Sequence, residues 1–260
     1  MNHGSVQAVF VFTSVALSAL MLGGCGEGVE SPASFGQQAQ ANRAYGPCDN
    51  AYYPVAFWTL DNLNGNMLVD NTSNQNHGTA INGPVFAPGY RFYEGLSFDG
   101  VNDYGLIPNG PALNFGTGDF SLSFCVRTTS SSGMQVLVDK RTENSGLLQG
   151  YVAYLDSGRA AFQMASAGVG ANFNSGAFVA DGQWHRIAIT VDRDQPTGGR
   201  IYVDGVQRST FNPTAYQGSL TNTVSLRLGM RSDNQSWPGY YSGILDEVRL
   251  FDRALVPSEI

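Results

Sequence analysis

The chain predicts an all-β fold, a sandwich of two antiparallel sheets, from three observations. Apolar residues recur at every second position in short runs, segments rich in Gly and Asn separate those runs, and charge is scarce. Charged residues make up 13% of the 260 and glycines number 32, so many turns and few solvated helix faces are expected. A hydrophobic share of 42% and an aromatic share of 12% are ample for a packed core.

The order of elements begins with an apolar run, Val6 to Leu22, that contains no charged residue and is followed by Gly23-Gly24-Cys25 and small polar residues. That is the pattern of an export signal, 1–24. Met1 to Ser5 lacks the Lys or Arg usual ahead of such a run, so lipoprotein-type and simple secretory processing are both open. From Cys25 to Gly46 the chain is rich in Gly, Ser, Ala and Gln and buries little, which reads as a flexible linker over 25–46. The folded domain is expected over 47–260. Its formal charge of −7 and its lack of a Lys/Arg cluster argue against nucleic acid or an anionic membrane surface as a partner.

Strands are predicted at Val55 to Asp61, Asp119 to Arg127, Met134 to Lys140, Tyr151 to Leu155, Ala160 to Met164 and Ser225 to Leu228. The clearest signal is a hairpin. From Trp184 to Asp192, His185, Ile187, Ile189 and Val191 alternate with Trp184, Arg186, Ala188 and Thr190, which sends the first set to the core. A polar run containing Pro196 and Gly198-Gly199 reverses the chain, Ile201 to Val203 returns, and Asp204-Gly205 ends it in a tight turn.

This hairpin resembles the corresponding strands of laminin G-like domains in the concanavalin A-like lectin and glucanase superfamily. The stretch from Gly95 to Pro108, containing Phe98-Asp99-Gly100 and Asp103-Tyr104, carries the most specific resemblance. It is supported by the Asp70 to Thr79 loop, the Phe120 to Arg127 strand and the closing Gly243 to Leu255 strand. The resemblance implies one concanavalin A-like jelly-roll sandwich, and such domains bind carbohydrates, bind proteins or serve as spacers. Leu22-Gly23-Gly24-Cys25 resembles the lipobox of bacterial lipoproteins. That implies lipidation of Cys25 and anchoring in the cell envelope, at the outer membrane since Gly26 replaces an Asp; a secreted protein is the alternative. In an exported chain Cys48 and Cys125 are expected to form a disulfide, with two free thiols as the alternative.

Catalysis finds little support. The carboxylate spacing of retaining glucanases, the lyase strings and a nucleophile elbow are all missing, and Asp246 and Glu247 are adjacent on a strand, so they are expected on opposite faces. His77 and His185 read as structural, since neither has a metal ligand at i+2 or i+4. Relatives often hold a structural Ca²⁺, for which Asp61, Asp70 and Asp246 are the expected ligands, with Asp99 and Asp103 as alternatives; the competing reading is that these residues make turns. For a glycan or glycoprotein ligand, an exposed aromatic beside amides and carboxylates is required. Arg231 to Tyr241 offers Asp233, Asn234, Trp237 and Tyr240 in one loop, while Trp58 and Trp184 are expected in the core. Two functions follow: a non-enzymatic, exported carbohydrate-binding module, or a protein-binding or structural domain. An enzyme of unrecognised mechanism ranks third.

Overall fold

The period-two alternation becomes two eight-stranded antiparallel sheets in the computed structural model, which describes Met1 and residues 53–61, 65–90, 93–234 and 236–260. The strands in chain order are β1 (Ala56–Trp58), β2 (Met67–Leu68), β3 (Gly78–Ile81), β4 (Val85–Pro88), β5 (Glu94–Asp99), β6 (Tyr104–Ile107), β7 (Phe120–Arg127) and β8 (Met134–Thr142). They continue as β9 (Gln149–Asp156), β10 (Arg159–Ser166), β11 (Val169–Phe178), β12 (Trp184–Val191), β13 (Gly199–Val203), β14 (Val206–Phe211), β15 (Leu226–Leu228) and β16 (Ser242–Phe251). One sheet runs β14-β13-β12-β7-β16-β5-β4, with β1 also paired to β16. The other runs β11-β10-β9-β8-β15-β6-β3-β2. This is the jelly-roll sandwich that the sequence predicts. The leader, the linker, Cys25 and Cys48 lie outside the described residues.

The core lies between the sheets and is filled by alternate residues of each strand. On β7, Phe120, Leu122, Phe124 and Val126 are buried against it, and Ile187, Ile189 and Val191 of β12 join them in the same cluster. Aromatic rings connect the two sheets: Phe120 of β7 stacks on Phe115 at 4.9 Å and meets Tyr151 of β9 and Phe162 of β10 at 5.7 and 6.1 Å. Phe211 of β14 continues the row, 5.8 Å from Phe162 and 3.9 Å from Phe173 of β11.

Two sequence expectations are corrected. Trp58 is fully buried, but Trp184 faces away from the core and meets Tyr90 edge to face at 6.0 Å, because it shares the parity of Arg186 rather than of Ile187. Asp246 and Glu247 do not take opposite faces: β16 shifts register between Asp246 and Arg249, and Glu247 has φ 54°. Leu245 and Val248 both reach the core, so the bulge keeps the two acids between them off that face, where Glu247 pairs with Arg249. Cys125 is buried, its thiol pushed up to about 12 by burial and by the charges of Asp246 and Glu247, and its expected disulfide partner Cys48 lies outside the described residues. One edge strand of the sandwich, β11, was not foreseen, since half of its ten residues, VGANFNSGAF, are the Gly, Asn and Ser that otherwise mark turns.

Polar staples close the loops. Asp70, 3% exposed, accepts five hydrogen bonds: from Phe57 N and Thr72 N on Oδ1, and from Thr72 Oγ1, Asn76 N and Asn76 Nδ2 on Oδ2. His77 completes this loop by accepting from Asp70 N at 3.0 Å. Asp99 similarly accepts from Val101 N and Asn102 N, while Asp103 accepts from Asp99 N, so these two acids make a strand-end turn. At the hairpin, Asp204 and Gly205 both have positive φ, as a two-residue turn between β13 and β14 requires. Asp204 also accepts from Arg186 N and holds His185 Nδ1 at 2.8 Å, and Asp181 holds His185 Nε2 at 3.0 Å.

Two outcomes follow. Asp70→Ala leaves buried donors without an acceptor and is expected to cost about 3 kcal/mol in urea unfolding, with Asp70→Asn intermediate; a loss below about 0.5 kcal/mol contradicts the staple. For His185, burial opposes the proton, but the bonds to Asp204 and Asp181 outweigh it and raise the folded pKa above 6.5. The imidazolium's stabilisation is therefore complete below the unfolded value and is lost as pH rises through the folded one. The melting-temperature gap between wild type and His185→Gln should be wider at about pH 6 than at about pH 8.5. A gap independent of pH rejects the charged latch.

Candidate functional site

Once the core claims Tyr151, Ala153 and Leu155 of β9, and Ala160, Phe162 and Met164 of β10, the residues between them must face the other way. Strand register then sets those outward residues side by side. Arg227, Asp139, Val152, Gln163 and Asn172 form one rung across β15, β8, β9, β10 and β11, and Val136, Tyr154, Ala161 and Asn174 form the next. Val136, Val152, Tyr154 and Ala161, with Met134 against them, make a small apolar cluster apart from the main core.

Around this cluster lies a depression of about 370 Å³, lined by Met134, Arg141, Glu143, Val152, Tyr154, Asp156, Gln163, Asn172 and Arg231. That volume suits a small ligand or one or two units of a larger one. The lining is a connected polar network. Arg141 donates to Gln163 Oε1, to Asp139 Oδ2 at 3.2 Å and to Glu143 Oε2 at 3.4 Å. Arg231 donates to the other oxygen of Glu143 at 3.2 Å. Gln163 Nε2 and Tyr154 Oη both donate to Asn172 Oδ1, at 2.9 and 3.0 Å. Burial raises Asp139 to about 6 even though Arg141 lies against it. The Nε atoms of Arg141 and Arg231 are buried without a hydrogen-bond partner among the described residues.

The loop singled out in the sequence forms part of this wall. Arg231 N donates to Pro238 O at 2.8 Å, which closes the loop, and Val136 N donates to Gly239 O at 2.8 Å, which docks it on β8. Trp237 is 74% exposed on that loop. The other expected ligand residues are committed inward. Asn234 is buried and accepts from Trp237 N at 3.1 Å. Asp233 Oδ2 accepts from the backbone N–H groups of Glu143, Asn144 and Ser145 and from Ser145 Oγ, at 2.7–2.8 Å. Burial opposes its ionisation, but these bonds prevail and hold its carboxyl below the usual range. Asp233 therefore positions the Glu143–Ser145 segment, and with it the carboxylate between the two arginines. Tyr240 is half-buried, and Tyr241 fills the core. Gln235 lies outside the described residues.

The structure does not gather the three expected calcium ligands. Both oxygens of Asp70 are saturated by the five donors above, and a carboxylate offers only about four lone-pair sites. Asp246 is 2% exposed; its Oδ2 accepts from Tyr90 N at 2.7 Å and its Oδ1 has no partner among the described residues. Burial above all raises Asp246 to about 7, and the nearby charges of Glu247 and Asp61 add to it. Among the described residues no group of three His, Cys, Asp or Glu side chains could hold a metal ion. Calcium prefers six to eight oxygens, more than these three carboxylates would supply by themselves.

Sequence reasoning missed Arg141, Glu143, Tyr154, Asp156, Gln163 and Asn172. The available signal was alternation: Tyr151, Ala153 and Leu155 pointing inward imply Val152, Tyr154 and Asp156 outward, but which strands adjoin is set by long-range pairing that one sequence does not reveal.

Comparison with known proteins gives the same picture of the fold. No curated protein matches the chain. The binding domain of Paraclostridial Mosquitocidal Protein 1 superimposes with a TM-score of 0.62 at 16% identity, over 78% of this chain and 49% of that one. The binding domain of botulinum neurotoxin serotype G gives 0.60 at 14% identity, over 80% and 49%. This chain thus spans about half the length of both. Domain 4 of AbnA, an extracellular arabinanase of Geobacillus stearothermophilus solved with arabinotriose, gives 0.60 at 19% identity and is covered over 95% of its length, against 79% of this chain. The family model described as the concanavalin A-like lectin/glucanases superfamily matches residues 99–260, and the chain belongs to that family.

Proposed function

We propose that this protein is a non-catalytic carbohydrate-binding module, exported and tethered to the cell envelope through lipid on Cys25. The observation that carries the binding reading is the depression on β8–β11, where guanidinium and amide donors, carboxylate and amide acceptors and an apolar floor lie within one ligand-sized space. Sugars present that mixture of hydroxyl donors, hydroxyl acceptors and apolar C–H faces. Trp237 stands exposed on the loop that also supplies Arg231 to the depression, and an exposed indole is suited to stack on a sugar ring. The arabinotriose held by the AbnA domain supports the reading by analogy of fold.

A non-catalytic role fits the state of the carboxylates. Glu143 is committed to two arginines, and Asp246, though raised to about 7, is too buried to meet a substrate. The second reading, a protein partner, is favoured by β11, an edge strand of ten residues without a charge or a proline, which could accept another strand.

On a glycan array, wild type is expected to bind at least one oligosaccharide, and both Trp237→Ala and Gln163→Ala to weaken it by about tenfold or more. Binding lost in neither variant, or no glycan bound at all, would sink the reading. For the tether, labelled fatty acid should be incorporated by wild-type protein and not by Cys25→Ser; equal labelling rejects it.

A further inference from the structure

The two arginines at the depression invite the expectation of an acidic ligand, since a guanidinium pair is well suited to a carboxylate or sulfate. The geometry points the other way. Glu143 reaches Arg141 with one carboxylate oxygen at 3.4 Å and Arg231 with both, at 3.2 and 3.4 Å. Arg141 is further held by Asp139 at 3.2 Å and by Gln163. The anion that the pair would recognise is therefore already present, and it comes from this chain.

Resting on the carbohydrate reading above, we propose that Glu143 acts as an internal carboxylate that makes the depression select uncharged sugars and reject those bearing carboxylate or sulfate groups. Two observations carry this. Glu143 is held at both ends: its backbone N–H, with those of Asn144 and Ser145, is tied to Asp233 at 2.7–2.8 Å, and its carboxylate is bonded to Arg141 and Arg231. The formal charges of the lining residues cancel, Arg141 and Arg231 against Glu143 and Asp156, so no net positive field remains to attract an anion. An acidic sugar would have to displace Glu143 or lie against it and Asp156, with like charges opposed in a partly desolvated site. A neutral sugar meets no such penalty. It can use the Asn172 and Gln163 amides and the outer lone pairs of both carboxylates, groups that recognise hydroxyls through paired donors and acceptors.

The test uses matched oligosaccharides that differ only in oxidation at C6: gluco- against glucurono-, galacto- against galacturono- and manno- against mannurono-oligosaccharides of equal length. Affinities are measured by calorimetry for wild type and for Glu143→Gln, with melting curves as the check on folding. Wild type should bind the neutral member of any recognised pair at least about tenfold more tightly. Glu143→Gln, which keeps the shape and removes the charge, should narrow that ratio by improving binding of the acidic member. Equal or tighter wild-type binding of the acidic member overturns the selectivity while leaving the carbohydrate reading intact, and so does a folded Glu143→Gln with an unchanged ratio. If no member of any pair and no oligosaccharide on the array binds, the carbohydrate reading fails and this inference fails with it. The wild-type ratio can overturn the selectivity even if the variant does not fold.

Discussion

The position of Phe120 determines most of what this protein presents to its surroundings. Its ring, on β7 of one sheet, is in contact with Tyr151 and Phe162 on β9 and β10 of the other. Both are fully buried, and in a pleated strand that choice cannot be made for one residue alone. With Tyr151 inside, Val152 and Tyr154 alternate outward; with Phe162 inside, Gln163 does. A slip of one residue in either strand would put Gln163 or Asp156 into the core and turn large aromatics to solvent. The aromatic contact between the sheets is thus also what builds the polar face on the opposite side, which is a by-product of the register that the core enforces.

How much of this was legible in the sequence depends on the range of the interaction. The β12–β13 hairpin and the Asp204-Gly205 turn are local, so alternation and turn chemistry predict them. The inward set of β7 follows from the same rule. β11 was not legible, because it holds its place by pairing with β10 and by the contact of Phe173 with Phe211, while half of its residues are Gly, Asn and Ser. Trp184 lies in a strand but on its outward face, as the parity it shares with Arg186 dictates, so a place within a strand is not by itself a sign of the core. Asp246 and Glu247 were misplaced for a different reason: a bulge adds one residue to the count, and no sequence pattern announces it.

The site shows the same division. The exposure of Trp237 was legible because an aromatic in a polar loop is a local signal. The roles of Asp233 and Asn234 were not, since both look like ligand groups until their partners are known. Asp233 is bonded to a segment 88 to 90 residues away in the chain. Such a contact turns a candidate ligand residue into the support for another residue, Glu143, which carries the electrostatic character of the surface. The charges that matter here are therefore held in place by neutral-looking loop geometry, and they are arranged to cancel one another.

The branched strand β16 has a wider consequence. Its first half pairs with β5 and its second half with β1, so the earliest and latest strands of the described fold are neighbours, joined at Val55 N to Leu250 O. In terms of connectivity the sandwich is close to a ring that happens to be cut beside β1. A linker joining the two ends and a new opening at an exposed turn such as Asp204-Gly205 would preserve every strand pair. The order in which the chain visits its strands is then separable from the architecture they form, and the polar face on β8–β11 belongs to the architecture.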